Sequence, residues 1–235
     1  MTRALAALVA VAAVAAVVVL GLRALTGDDP SSTGAGPAAP HRWATVPAAP
    51  LEAPAEGLYV VSTVTADGQV EVQTWLRVPQ PVTELRLTTT DPDLLPGSTE
   101  SLGLVVRTMD GRLLAHRTSV GTNPQRIRLR DPATDLYLSY TIDGAMDDRS
   151  PTVQGRSLAR VLGMDIDYVG ADGSRVVVRR LVTSPGTVLN VACLAPSQDF
   201  DAAPRPCGSP TGDGDWLVEL RGEHRQDRLL AQLEG

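Results

Sequence analysis

Lysine is missing from this chain of 235 residues, so its 21 basic residues are all arginine. Schiff-base formation, Ser-Lys dyads and Walker-type phosphate loops each need a lysine amine and are excluded. Histidine is nearly as scarce, with His41, His116 and His224 as the full set. A Ser-His-Asp arrangement would have to use one of these three. The segment nearest to a nucleophile elbow, Gly155-Arg156-Ser157-Leu158-Ala159, departs from G-x-S-x-G at its last position and lacks the strand-turn-helix setting that motif needs. Aromatic residues are 3% of the chain, one Phe, three Trp and four Tyr, which is too few to line a sugar-binding cleft. Positive charge is outweighed as well. With 27 acidic residues the net charge is -6, which gives no reason to expect a nucleic-acid partner.

Apolar residues, by contrast, are concentrated at the start. Residues 4–22 form an unbroken run of Ala, Val, Leu and Gly bounded by Arg3 and Arg23. As a helix this run would be about 28 Å long, close to the hydrocarbon thickness of a bilayer, so it is expected to contact lipid as a transmembrane anchor over residues 1–26. A cleaved signal peptide is the competing reading, but the run is long and Gly21-Leu22-Arg23-Ala24-Leu25 is a poor cleavage site. Arg3 and the free amine precede the run, while Arg23 is offset by Asp28 and Asp29, which favours a cytoplasmic N-terminus and an extracytoplasmic remainder. Beyond the anchor, 19 Arg stand against 27 acidic residues, a charge of -8. Residues 27–56 carry Pro30, Pro37, Pro40, Pro47, Pro50 and Pro54 among Ala, Gly, Ser and Thr, and read as a disordered, extended linker interrupted by His41 and Trp43.

Two cysteines, Cys193 and Cys207, flank a Pro- and Gly-containing stretch. In an oxidising compartment they are expected to form one structural disulfide.

From residue 57 onward, period-two alternation dominates. Strands are expected at 58–65, 70–76, 82–89, 102–108, 112–120, 125–130, 135–143, 159–169, 175–183, 187–193 and 216–220. Turn signals separate them, including Asp67-Gly68, Asp110-Gly111 and the hairpin-like Gly170-Ala171-Asp172-Gly173-Ser174. In the second strand Val70, Val72, Thr74 and Leu76 share a face, which leaves Trp75 opposite, at a covered edge or in a second packing layer. Residues 223–233 read as a short helix with a stripe of Leu229, Leu230 and Leu233. The expected fold over 57–235 is therefore all-β, an antiparallel β-sandwich, Ig-like or jelly-roll-like, with a short C-terminal helix.

Two groups of side chains are candidate sites. Asp143, Asp147 and Asp148 follow one strand, and Asp165 and Asp167 alternate along another. If the 135–143 and 159–169 strands pair, Asp143, Asp147, Asp165 and Asp167 converge as hard oxygen ligands for Ca²⁺ or as paired carboxylates for hydrolysis. A solvated acidic face explains the same residues. Asp199-Phe200-Asp201 and Asp213-Gly214-Asp215 do not complete a calcium loop. Arg126, Arg128 and Arg130 alternate with Ile127 and Leu129, so three guanidinium groups project from one face, suited to phosphate or carboxylate. A salt-bridged solvent face is the alternative. Arg175, Arg179 and Arg180 form a second, looser basic group. No cofactor is expected. Together these features fit a membrane-anchored, extracytoplasmic, non-enzymatic interaction or accessory module of the bacterial cell envelope, partnered by an envelope protein or an anionic wall polymer. The alternative is a secreted or anchored hydrolase with a carboxylate site near Asp143 and Asp165.

Overall fold

Apolar alternation becomes strand almost everywhere that the structure, a computed structural model, describes: residues 44–89, 100–147, 155–160, 163–169, 176–196 and 204–234. Among these residues there is no α-helix, and the larger of the two sheets is mixed while the smaller is antiparallel. No helix among them is long and apolar enough to cross a membrane. The 4–22 run, the linker up to Trp43, and the Gly170–Ser174 and Asp199–Asp201 segments lie outside the described residues.

The chain first makes β1 (Gly57–Val64) and β2 (Val70–Thr88), joined at Asp67-Gly68 as expected, with Gly68 at φ +82° and Val64 opposite Val70. Next come β3 (Glu100–Thr108) and β4 (Leu113–Val120), a hairpin through Asp110-Gly111. The long β5 (Gln125–Asp143) then pairs antiparallel with both β2 and β3. After β6 (Met146–Asp147), β7 (Arg156–Arg160) and β8 (Asp165–Tyr168) come β9 (Val177–Thr183) and β10 (Val188–Leu194). The chain ends with β11 (Arg205–Pro206), β12 (Ser209–Pro210), β13 (Trp216–Leu220) and β14 (Arg228–Glu234). One nine-stranded sheet has the order β12-β13-β9-β1-β2-β5-β3-β4, with β8 also on β2. A five-stranded sheet has the order β11-β10-β14-β7-β6.

Several sequence-based expectations are corrected by these pairings. The strands expected at 70–76 and 82–89 are one strand, as are those at 125–130 and 135–143. The gaps in the sequence pattern fall at Pro79, Pro81 and Pro132, which cannot donate to a ladder, and the β2–β5 register shifts there between Arg77 and Glu84 while the chain stays extended. Conversely, the strand expected at 159–169 is divided, because β7 joins the small sheet and β8 the large one. β8 pairs with β2 and β9 with β1 and β13, so no hairpin joins β8 to β9. The sheet is not purely antiparallel, since β1 and β9 run parallel from Gly57 opposite Val177 to Thr63 opposite Thr183. At the head of that ladder a Cβ on Gly57 (φ +127°) would lie 2.0 Å from the Val177 carbonyl oxygen, so only glycine fits.

The expected C-terminal helix is also corrected. Gly222–Gln226 is a single 3-10 turn, and β14 follows it between β10 and β7. Leu229, Leu230, Ala231 and Leu233 are all buried, so both faces of the strand are covered and the apolar spacing mimics a helix stripe. The turn is held by Asp227, whose buried carboxylate accepts from Arg205 Nη2 at 2.6 Å, with His224 Nδ1 at 3.2 Å.

Inward residues of both sheets belong to one buried apolar cluster, including Val70, Val72 and Leu76 of β2, Leu136 and Leu138 of β5, and Val191 and Leu233 of the small sheet. Thr74 is fully buried on the same face. The outer face of the large sheet is covered over its centre as well. Tyr59, Trp75 and Tyr137 stand in register across β1, β2 and β5 and are each at most 7% exposed. Val46, Ala49 and Ala53 pack on them, so the second layer over Trp75 is the stretch 44–56, the final part of the expected linker.

The Cys193–Cys207 disulfide is formed, tying β10 to the segment that follows β11 across a sequence separation of 14. Its sulfur atoms join a strand whose neighbours Val191 and Leu194 are fully buried, and the loop it closes is open to solvent at Pro204, Arg205 and Pro206. Replacing both cysteines by serine is expected to lower stability by about 3 kcal/mol, the loop-closure value for this length, read as a lower denaturant midpoint with an almost unchanged slope.

Candidate functional site

The second half of the β2–β5 ladder presents a bare, basic face. Ile127 and Leu129 point inward and are buried, which turns Arg126, Arg128 and Arg130 outward, all exposed. The pairing adds a residue that strand alternation alone cannot supply: Arg86 of β2 stands directly opposite Arg126, and Glu84 directly opposite Arg128. Glu84 lies 3.8 Å from Arg126 Nε and 4.0 Å from Arg128 Nε, so one carboxylate serves two guanidinium groups. Asp167 of β8 flanks Arg86 on the other side, and its carboxylate meets Arg225 Nη2 at 3.2 Å. Like charges directly across a ladder are destabilising, so the Arg86–Arg126 pair is a local departure from what sheet stability alone favours. The side chains along β5 repeat every two residues, about 7 Å apart.

The carboxylate candidates are distributed differently. β8 pairs with β2 rather than β5, so the strand pairing that would have gathered Asp143, Asp147, Asp165 and Asp167 is not made. Asp165 and Asp167 do share a face. Asp143 borders a groove of about 670 Å³ between the β1–β2 turn and the ends of β7 and β14, with Asp67, Ser157 and Glu234 also on its wall. Asp165 borders a separate cavity of about 10 Å³, room for roughly one water. Asp148 lies outside the described residues. Among the described residues no three Asp, Glu, His or Cys side chains gather closely enough to hold a metal ion. His116 is exposed on β4, His224 belongs to the C-terminal turn, and Ser157 sits on β7 antiparallel to β14, so the elbow-like sequence forms no strand-turn-helix.

A buried charge cluster escapes sequence reading. The adjacent Arg179 and Arg180, grouped together by sequence, point to opposite faces of β9. Arg179 is outward and meets Glu219 Oε2 at 2.7 Å, and the hydrogen bonds from Arg221 and from Arg179 hold the Glu219 carboxyl below the usual range. Arg180 occupies an inward position in register with Val60 and Val218 and is 6% exposed. Its Nε has no hydrogen-bond partner. Beside it, burial raises the Asp165 carboxyl above its ordinary pKa, Arg180 and Arg225 pull it back, and Asp167 raises it further. The fully buried Tyr140 is raised chiefly by burial, and its hydroxyl accepts from the Met164 N–H at 2.8 Å. Because the folded-state pKa of Asp165 lies above the unfolded one, its contribution to stability falls as pH rises from about 4 through the raised value.

No protein-family model matches the chain. No curated protein matches it. Among solved structures it is similar to an aminopeptidase N family protein from Idiomarina loihiensis, at 14% identity and a TM-score of 0.44, over 74% of this chain and 29% of that one. The chain thus spans less than a third of that protein's length.

Removing Arg180 leaves Arg225 alone to offset the burial of the Asp165 carboxyl. Arg180→Leu is expected to destabilise by about 1–3 kcal/mol, and by less when Asp165→Leu is already present. A double-mutant cycle from urea unfolding at neutral pH reads the coupling, and additivity of the two single variants would exclude it.

Proposed function

We propose that this protein is a non-enzymatic interaction module of the bacterial cell envelope, a β-sandwich held outside the membrane by the 4–22 segment, that engages an anionic wall polymer through Arg86, Arg126, Arg128 and Arg130. The observation that carries the reading is the placement of Arg86 opposite Arg126 on an exposed face where Glu84 is shared between Arg126 and Arg128. An arrangement that repels itself is relieved by a polyanion, whose phosphates or carboxylates accept forked hydrogen bonds from successive guanidinium groups. The wall itself supplies such a ligand class. The sequence supports the same setting, since an apolar run at 4–22 followed by a Pro-rich stretch suits a tethered module, and a net acidic charge disfavours adsorption to anionic lipid.

A hydrolase using Asp143 and Asp165 draws less support, because the two carboxylates border different cavities and the one beside Asp165 admits no substrate.

The test is retention of the full chain, in detergent, on immobilised polyphosphate across a salt gradient. Wild type is expected to bind at low salt and elute as salt rises, and the triple variant Arg126→Gln, Arg128→Gln, Arg130→Gln to bind about tenfold more weakly with a shallower salt dependence. Equal retention of the two proteins would overturn the proposal.

A further inference from the structure

The outer face of the large sheet carries a second feature, in the other half of the β2–β5 ladder. Six residues stand in register across six strands: Glu219, Arg179, Tyr59, Trp75, Tyr137 and Arg107. Three of the chain's eight aromatic residues are thereby set side by side, Tyr59 and Trp75 edge to face at 6.2 Å and Trp75 and Tyr137 at 5.5 Å. Residues 44–56 cross the strands along this row. The Ala44 N–H donates to the Gly111 carbonyl at 3.2 Å, Trp75 Nε1 donates to the Pro47 carbonyl at 3.1 Å, and Arg179 Nη1 donates to the Glu52 carbonyl. A Cβ on Gly111 (φ +93°) would lie 2.0 Å from the Ala44 carbonyl oxygen, so the first anchor depends on glycine. The crossing segment reads Pro47-Ala48-Ala49-Pro50-Leu51-Glu52-Ala53-Pro54, a PxxP sequence extended by a third proline.

From this geometry we infer that Tyr59, Trp75 and Tyr137 form a docking surface for a proline-rich segment of another protein, closed in cis by residues 44–56. Extended PxxP segments are recognised by aromatic-lined surfaces because their backbone is preformed and its carbonyls are free to accept. The Pro47–Pro50 part of the strap displays that chemistry, with the Trp75 indole N–H donating to the Pro47 carbonyl, before the chain turns at Leu51-Glu52, where the Ala53 N–H donates to the Pro50 carbonyl. It also fills the surface poorly. A void of about 30 Å³ remains beside it, bordered by Ala49, Ala53, Pro54, Trp75 and Met109 and edged by the half-exposed Arg77–Asp135 ion pair. Leu51 is fully exposed, and the strap's covering side chains are only partly buried, whereas the rings beneath are at most 7% exposed. A partner segment with a larger apolar side chain in place of Ala49 would bury more surface in the void, each methylene adding roughly fourfold in affinity. The cis strap, held at high effective concentration by its direct connection to β1, sets the threshold a partner must exceed. The surface is separate from the arginine face, so the two proposals fail independently.

The probe is a synthetic peptide of residues 44–56 carrying Ala49→Val, added to the full chain. It is expected to bind one-to-one, to raise deuterium uptake at the Ala44 amide as the cis strap lifts, and to bind about tenfold more tightly than the unaltered peptide. In full chain with Pro47→Gly, Pro50→Gly and Pro54→Gly, both peptides are expected to bind at least tenfold more tightly than in wild type, unaffected by Arg126→Gln. Should that variant fail to fold, the wild-type exchange experiment with the Ala49→Val peptide decides alone. No binding up to millimolar peptide, binding that survives Trp75→Phe unchanged, or self-association of the strap variant through the bared row would each overturn the proposal.

Discussion

The antiparallel ladder between β2 and β5 is the constraint on which the rest of the molecule depends. Its inward residues, from Val70 to Leu87 on one strand and Ile127 to Ile142 on the other, supply much of the common core. Outward, the ladder is divided where Pro79, Pro81 and Pro132 interrupt the hydrogen bonding and the register shifts. On one side of that break the outer face is aromatic and covered. On the other it is arginine-rich and bare. Because residues paired across a ladder must share a face, each strand's composition fixes what its neighbour can present, and two chemically unlike surfaces coexist on one ribbon.

Guanidinium groups are put to contrasting uses in this chain. Arg126 and Arg128 keep their charge in water, where a single shared glutamate balances them weakly. Arg180, one residue from an outward-facing Arg179, sits inward between Val60 and Val218, near the carboxyl of Asp165. A chain without lysine has no compact ammonium for either role. Arginine's delocalised, weakly hydrated charge tolerates the buried position, and its planar fork suits the exposed one.

What was legible in the sequence is what short stretches encode. The Asp67-Gly68 turn, the shared face of Val70, Val72, Thr74 and Leu76, the buried Trp75 on the opposite face, the disulfide and the outward alternation of Arg126, Arg128 and Arg130 all follow from local chemistry and period two. Strand neighbours do not. Nothing near Arg86 announces Arg126, nothing near β8 announces β2, and the prolines in β2 and β5 read as ends when they are interruptions within continuous strands. The C-terminal segment misleads for a related reason: a strand buried on both faces loses its alternation, and Leu229, Leu230 and Leu233 then imitate a helix. Arg180 is invisible as a core residue because charge is the usual mark of an outward position. The strap was masked by its composition, since the prolines that signal an extended linker also suit a segment lying across aromatic rings.

The parallel pairing of β1 with β9 carries a consequence for the order in which the molecule assembles. Residues 57–63 meet residues 177–183, with more than a hundred residues between them, so β1 acquires its second neighbour only after most of the chain has been made. Until then one long edge of the β1–β2 hairpin stays open, with unpaired backbone groups and apolar residues such as Leu58 and Val60 uncovered. Pairings of such long range close slowly, because the entropy of a large loop must be overcome before any contact repays it. Completion of the large sheet is therefore a late event in the folding of this chain, with an aggregation-exposed edge before it.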